Sequence, residues 1–261
     1  IPDILEPFEI SRGLDTNYIG HSIHLYKELE STNTTAKKFV EQDAKEGTII
    51  IAESQTAGRT RKHDGWVSPE GGIYMTMILR PEVSLKEASK LTIVTGVAIA
   101  KTLHDVFDID VGIKWPNDLL IGNKKICGIL IENDLMGRNI CQSIAGIGIN
   151  INQEEFYSPA PNPVSLYQIT GKRHDVFEIL KNIMIRVQSY YAKLQKGDIT
   201  RITNQYEKSL FRKEGMHRYK DVDGEFLARI ICVEPEGRLI LEDEQHARRA
   251  YMFKEVEYLL R

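Results

Sequence analysis

The sequence predicts an α+β fold: a mixed-sheet domain with flanking helices, followed from about residue 210 by a small all-β domain. Three observations predict it. Two long stretches, 84–107 and 175–195, carry apolar residues at helical spacing. Short β-branched or alternating runs surround them without a regular βαβ repeat. Beyond Phe211, brief strand candidates alternate with turns such as Asp223-Gly224 and Glu236-Gly237. With 261 residues and 42% hydrophobic composition, the chain can build one substantial core and a small second domain.

Each element has its own signal. HSIHLYKEL alternates apolar and polar side chains over 23–29 and reads as a strand. STNTTAKKFVEQ opens with a Ser/Thr/Asn cluster, a helix cap ahead of Ala36, Phe39 and Val40. GTIIIAES is a buried strand, and GGIYMTMILRP is another that stops at Pro81. In SLKEASKLTIVTGVAIAKTLHDVF, Ser84 and Glu87 form a capping box for a helix whose apolar face includes Leu91, Ala98 and Leu103. VGIKW is a strand, and Pro116 biases Trp115 toward extended backbone. IGNKKICGILIEN reads as a hairpin turning at Gly122-Asn123, and SIAGIGININ as a strand beside it. NQEEFYSPAPNPVSL, with three prolines, is a loop. DVFEILKNIMIRVQSYYAKLQ is the second long helix, with Asp175 and Glu178 as capping box, and ITRITNQYEKS is a shorter one.

Composition narrows the function. A net charge of -3 excludes a nucleic-acid coat, so anion binding must be local. Three well-separated cysteines, Cys127, Cys141 and Cys232, argue against a disulfide scaffold or a CxxC metal site and suggest buried thiols in a reducing compartment. No apolar run approaches the roughly 18 residues that cross a bilayer, and no signal-peptide pattern opens the chain. A cytoplasmic location is the expectation.

Positive charge concentrates in GRTRKHDGWVSPEGG at 58–72, which cannot enter a core with its charges unpaired. Arg59, Arg61 and Lys62 offer donors suited to phosphate or carboxylate, where a solvated loop is the bland alternative. Lys114 ends a strand in KWPND, where Pro116 fixes the chain direction and Asn117-Asp118 can bond the turn. An ammonium held on so stiff a support could stabilise a developing phosphate charge by about 3–4 kcal/mol; a snorkelling surface lysine is the alternative. In GIGININ the glycines serve close packing or a close ligand. Asn150 and Asn152 share one face of that strand, Asn152 as a structural group and Asn150 open to either role. Ser31, Thr32 and Asn33 cap a helix whose N-terminus can also receive an anion.

Taken in order, ESTN at 30–33, ESQTAGRTR at 53–61, W-x-SPEGG at 66–72, KWPND at 114–118, KKICGILIE at 124–132 and GIGININ at 146–152 resemble the biotin protein ligases. The resemblance runs from about Asp3 to the C-terminus and implies that the terminal β segment is a small SH3-like barrel. It implies division into a linker-like lead-in at 1–25, a catalytic domain at 26–209 and the SH3-like domain at 210–261. It also implies two-step chemistry. Biotin's carboxylate attacks the α-phosphate of ATP with Mg²⁺ assistance, giving biotinyl-5′-AMP; a lysine of a biotin carboxyl carrier domain, from a biotin-dependent carboxylase, then takes the biotin and releases AMP. The basic loop would close over this reactive anhydride and keep water out.

By motif, Ser31, Thr32, Asn33, Gln55, Arg59, Thr60, Arg61, Lys114 and Gly128 are similar to biotin-contacting positions. Lys114, Arg61 and Arg59 carry the catalytic expectation, Lys114 by bridging carboxylate and α-phosphate. Arg61, Trp66, Asn117, Lys125 and Asn150 are the nucleotide-side positions, with Trp66 covering the adenylate or buttressing the loop, and no protein metal site is implied. Ile129 and Leu130 would help line an apolar slot, and Phe156 or Tyr157 could stack on adenine.

The loop departs from the family's G-R-G-R-x-G-R: Thr60 and His63 replace glycines and Asp64 replaces an arginine. That removes easy access to positive φ and subtracts one cation, so closure should differ while activity survives. The opening segment is similar to the one that joins a DNA-reading winged helix to the catalytic part in some members, so an upstream DNA-binding domain is an expectation for the full protein. This chain alone should bind neither nucleic acid nor membrane, and a homodimer through adjacent sheets is expected by analogy. A lipoate ligase, a biotin-sensing module and a plain α+β domain are the rival readings.

Overall fold

A computed structural model describes residues 14–60, 65–157 and 162–260. The alternating and β-branched runs form a mixed sheet of eight strands: β1 (Ser22–Leu29), β2 (Thr48–Gly58), β3 (Trp66–Ser68), β4 (Ile73–Leu79), β5 (Gly112–Lys114), β6 (Asp118–Ile121), β7 (Lys124–Met136) and β8 (Asn139–Ile149). Their order is β1-β2-β4-β8-β7-β6-β5, with β3 on β2. Only β1 and β2 are parallel; every other pair is antiparallel.

Among the described residues five helices follow the sheet's connections: α1 (Thr32–Glu41), α2 (Ser89–Phe107), α3 (Leu166–Thr170), α4 (Val176–Gln195) and α5 (Thr200–Lys208). Side chains alternate across a strand, so the sheet has two unlike faces. One face carries Met75, Met77, Cys127, Ile129, Ile147 and Ile149, which join α2 and α4 in the main core. Ile129 and Ile113 pack against α2 at Gly96. The other face is covered only in part, by α1 and a small cluster of Ala36, Ile50, Ile78 and Ile144. That leaves the middle of this second face for chemistry. Ile129 therefore cannot line a slot there; Leu130, one residue on, lies on the second face.

Both expected capping boxes are corrected. Ser84 donates to the Glu87 carboxylate instead of capping the backbone, and α2 starts only at Ser89. The reason is tertiary: Ser84 bridges Asn139, and Leu85 N–H bonds Arg138 O, so this segment is held as a sheet extension before a short 3-10 turn at Leu85–Glu87. Asp175 does cap α4 through Phe177 and Glu178 N–H, but the Glu178 carboxylate pairs with Lys181 and not with the cap. A capping box absent from the sequence reading is present at α3, between Ser165 and Gln168. Of the three thiols only Cys127 is fully buried, where burial pushes it up; Cys141 and Cys232 are half-buried.

The C-terminal strands β9 (His217–Asp221), β10 (Gly224–Val233), β11 (Leu239–Asp243), β12 (Arg248–Tyr251) and β13 (Glu257–Tyr258) form an antiparallel five-stranded sheet in the order β12-β11-β10-β9-β13. Tyr219, Tyr258, Leu239 and Leu241 fill its buried face. Trp115 Nε1 donates to Gly237 O at 3.0 Å and Ser89 Oγ to Pro235 O at 2.7 Å, so the KWPND turn and the start of α2 hold this sheet in place.

Candidate functional site

Directly opposed residues in antiparallel strands project to the same face. Two such rows cross the sheet's open face. One runs Tyr74, Gly148, Gly128, Asp118, Lys114 and the other Thr76, Gly146, Leu130. Three glycines at adjoining positions, 128, 146 and 148, leave a trough between Tyr74 and Thr76 on one side and Asp118 on the other. Other side chains use that space. The Trp66 indole lies over both Gly128 and Gly148, where an added Cβ would meet it at 2.8 Å. A Cβ on Gly146 would stand 2.0 Å from Asn33 Oδ1. The glycines thus make room for the protein's own side chains, Trp66 and Asn33, on this face.

Lys125 reaches this face through a β-bulge. Cys127 opposes Leu119, but Lys125 and not Ile126 opposes Leu120. The extra residue reverses the alternation and swings Lys125 onto the side of Gly128. Its Nζ sits 2.7 Å from Asp118 Oδ1, 5.0 Å from the Trp66 ring centre and 3.4 Å from where a Gly128 Cβ would be. Lys114 stands at the far end of the same row, its Nζ 5.3 Å from the Tyr258 ring of the C-terminal sheet. The Trp115–Pro116 peptide is cis, and Trp115, expected as the last residue of the strand, lies instead in a turn with residues 116 and 117.

At the opposite end of the trough lies a polar network. Ser31 is the N-cap of α1 by backbone geometry, yet its side chain makes no cap bond. The acceptor comes instead from β2: Gln55 Oε1 takes Thr32 N–H at 2.8 Å and the Thr32 hydroxyl at 3.1 Å. Gln55 Nε2 donates to Ser68 Oγ at 2.9 Å, and Ser68 donates to Trp66 O. Fully buried Thr76 places its hydroxyl 2.8 Å from Thr32 Oγ1 and 2.7 Å from Asn33 Oδ1. Asn33 Nδ2 turns away, toward Glu132 Oε2 and Leu130 O.

Arg59 directs both Nη atoms onto Glu132, at 2.8 and 2.9 Å, and Lys37 joins the same carboxylate at 2.8 Å. Burial pushes the Glu132 carboxyl up, but hydrogen bonds from Lys37 and Asn33 and the charge of Arg59 outweigh it and hold it below the usual range. The Thr60 hydroxyl and Trp66 Nε1 are buried without a partner among the described residues. Arg61, with Lys62, His63 and Asp64, lies outside the described residues.

The remaining expected residues have mainly structural partners. Asn117 Nδ2 donates to Ile129 O, fixing the KWPND turn on β7. Asn150 and Asn152 come after β8 and are not part of it, which corrects their shared-face assignment. Asn150 ties Lys125 O to Val164 O, and Asn152 exchanges bonds with the His174 backbone. Tyr157 is exposed and bonds Glu155, while part of its loop, 158–161, lies outside the described residues. Thr76 and Glu132 join the site without having been expected there. Thr76 was detectable as the one threonine in an apolar and aromatic strand, whereas the partners of Glu132 are more than seventy positions away.

A model of the biotin/lipoate A/B protein ligase family matches residues 25–150, which include the whole trough. The bifunctional ligase/repressor BirA of Bacillus subtilis is 32% identical over 254 residues, covering 96% of this chain and 78% of that protein. The chain belongs to the biotin protein ligase family. A biotin–acetyl-CoA-carboxylase ligase of Paracoccus denitrificans is 30% identical over 185 residues, covering 67% of this chain and 75% of that one. Among solved structures of the family, the Aquifex aeolicus biotin protein ligase in complex with biotin and ATP superposes with a TM-score of 0.76. It is 26% identical and covers 92% of this chain and 100% of its own. The family's mixed sheet with flanking helices is thus the fold found here.

Proposed function

We propose that the trough adenylates biotin with ATP and delivers it to a lysine of a carboxylase's carrier domain. The observation that carries this reading is the proton count of the polar network. Thr32 N–H can only donate, so Gln55 turns Oε1 to it; Glu132 and Leu130 O can only accept, so Asn33 turns Nδ2 to them. Between Asn33 Oδ1, Thr76, Thr32 and Gln55 Oε1 there are then three oxygen–oxygen contacts and only two hydroxyl hydrogens. The network is one donor short. With no proton to spare, its oxygens can only accept from a ligand, and the ureido ring of biotin has two N–H groups to donate. The dithiolane ring of lipoate has none, which favours biotin within this joint family.

The other end supplies the charge. Lys125, held by Asp118 and set over Trp66 beside Gly128, is our choice of ammonium for carboxylate and α-phosphate, a role that the stiff KWPND support and the motif resemblance assigned to Lys114. Lys114 stands farther along the same row and would meet the nucleotide there. A biotin carboxylate oxygen attacks the α-phosphorus, the bond to pyrophosphate breaks, and the mixed anhydride forms. A neutral carrier lysine then attacks the carbonyl carbon, AMP leaves, and the amine's proton passes to solvent. Lys125 offsets the charge that develops on the transferred phosphate. Arg59, Thr60, Arg61, Ser31 and Gly128 complete the biotin side in this reading, and Trp66, Asn117 and Asn150 support the nucleotide side.

Mg²⁺ would enter with ATP, since Mg²⁺ ordinarily keeps waters and substrate phosphates as ligands. We read the C-terminal sheet as the family's SH3-like domain, at 210–261, and the catalytic domain as 26–209. No helix among the described residues is long and apolar enough to cross a membrane, and catalysis in the cytoplasm suits a carboxylase partner. ATP–pyrophosphate exchange with biotin and lipoate supplied separately tests the reading. Exchange with biotin alone is expected, and exchange with lipoate alone would reverse the substrate assignment.

A further inference from the structure

Glu132 emerges from β7 beside the trough, opposite Ile144. Its carboxylate collects groups from two elements: Lys37 and Asn33 from α1, and Arg59 just beyond β2. The Arg59 pair is bidentate, the geometry in which an ion pair fixes direction as well as distance. Asn33 is held differently. Its amide has two ends, and only the acceptor-only character of Glu132 and Leu130 O decides which end faces Thr76. Were the amide reversed, Nδ2 would donate to Thr76, and the network would have donors enough without a ligand.

We propose that Glu132 is a positioning residue for ligand selection: it locks the Asn33 amide with its oxygen toward the trough, and so creates the demand for a ligand N–H. The same carboxylate docks Arg59, joining the start of the basic loop to the biotin end of the site. This assignment rests on the reading of the trough as a biotin site. Glu132→Gln is nearly isosteric, but its amide can donate to Asn33 Oδ1, which permits the reversal. It should cost biotin recognition and spare the chemistry at Lys125.

The test is biotin-dependent ATP–pyrophosphate exchange on four proteins: wild type, E132Q, N33A and the double variant. Lys37→Met serves as a control, since it removes a partner of the same carboxylate that has no other link to the network. For E132Q the KM for biotin should rise about tenfold with kcat changed less than about twofold. In the N33A background the same substitution should change the KM by clearly less than about tenfold, because only its effect through Arg59 remains. K37M should lower the melting temperature and leave the KM within about twofold of wild type. A KM shift in E132Q no larger than that in K37M would overturn the proposal, as would full additivity with N33A. Wild-type protein that shows no biotin dependence would instead overturn the reading of the trough, and this assignment with it.

Discussion

At the scale of single residues, the site depends on what is missing as much as on what is present. Gly148 and Gly128 lack the Cβ that would strike the Trp66 indole, and Gly146 lacks one that would expel Asn33. Gly148→Val should therefore displace Trp66 and destabilise the fold by roughly 1–3 kcal/mol, read by denaturant unfolding. An unchanged midpoint would mean that the indole moves aside freely. Thr76→Val keeps the shape and removes the hydroxyl shared by Thr32 and Asn33. It should raise the KM for biotin about tenfold while ATP's KM holds, measured by exchange kinetics. Glu132 also gives a pH signature. Its folded-state carboxyl is held below the usual range, so its stabilising effect is full above the unfolded value of about 4.3 and fades as pH falls through the lower folded value. The melting-temperature gap between wild type and Glu132→Gln should be constant above about pH 5 and shrink in more acid solution. A gap that widened on acidification would contradict the sign.

At the scale of elements, periodicity and turn residues located almost every strand and helix, because those signals are local. The Gly122-Asn123 hairpin and the apolar face of α2 are examples. What sequence could not supply was register. The bulge between Leu119 and Leu120 decides that Lys125 joins the Gly128 face, yet nothing in KKICGI marks it, since it arises from pairing with β6. The same limit moved the start of α2, where sheet contacts from Arg138 and Asn139 overrode the Ser84–Glu87 pattern. It also sent the α1 cap to Gln55, twenty-three positions on from Thr32. α2 offers a test of its own packing. A Cβ on Gly96 would meet Ile129 and Ile113 at ordinary contact distances of 3.8–3.9 Å. Gly96→Ala should then stabilise the protein by about 0.5–1 kcal/mol through helix propensity, seen as a higher melting temperature. A loss of stability would show that α2 and the sheet are packed more tightly than those distances imply.

At the scale of the whole molecule, the two faces of the sheet divide the work. The face under α2 and α4 supplies the core, and the thinly covered face keeps its glycines, its amides and Lys125. The family motifs read in the sequence converge on that second face although they span positions 30 to 152. The C-terminal sheet closes one end, with Trp115 on Gly237 O and Lys114 against Tyr258. That division makes the choice between the two lysines the central question. The most direct measurement is biotin-dependent ATP–pyrophosphate exchange on wild type, Lys125→Ala and Lys114→Ala. Loss by about a hundredfold or more in Lys125→Ala, with a smaller loss in Lys114→Ala that ATP partly recovers, is the predicted result. Near-normal exchange in Lys125→Ala alongside a collapsed Lys114→Ala would move the reacting carboxylate to the Lys114 end of the row and contradict its placement beside Lys125.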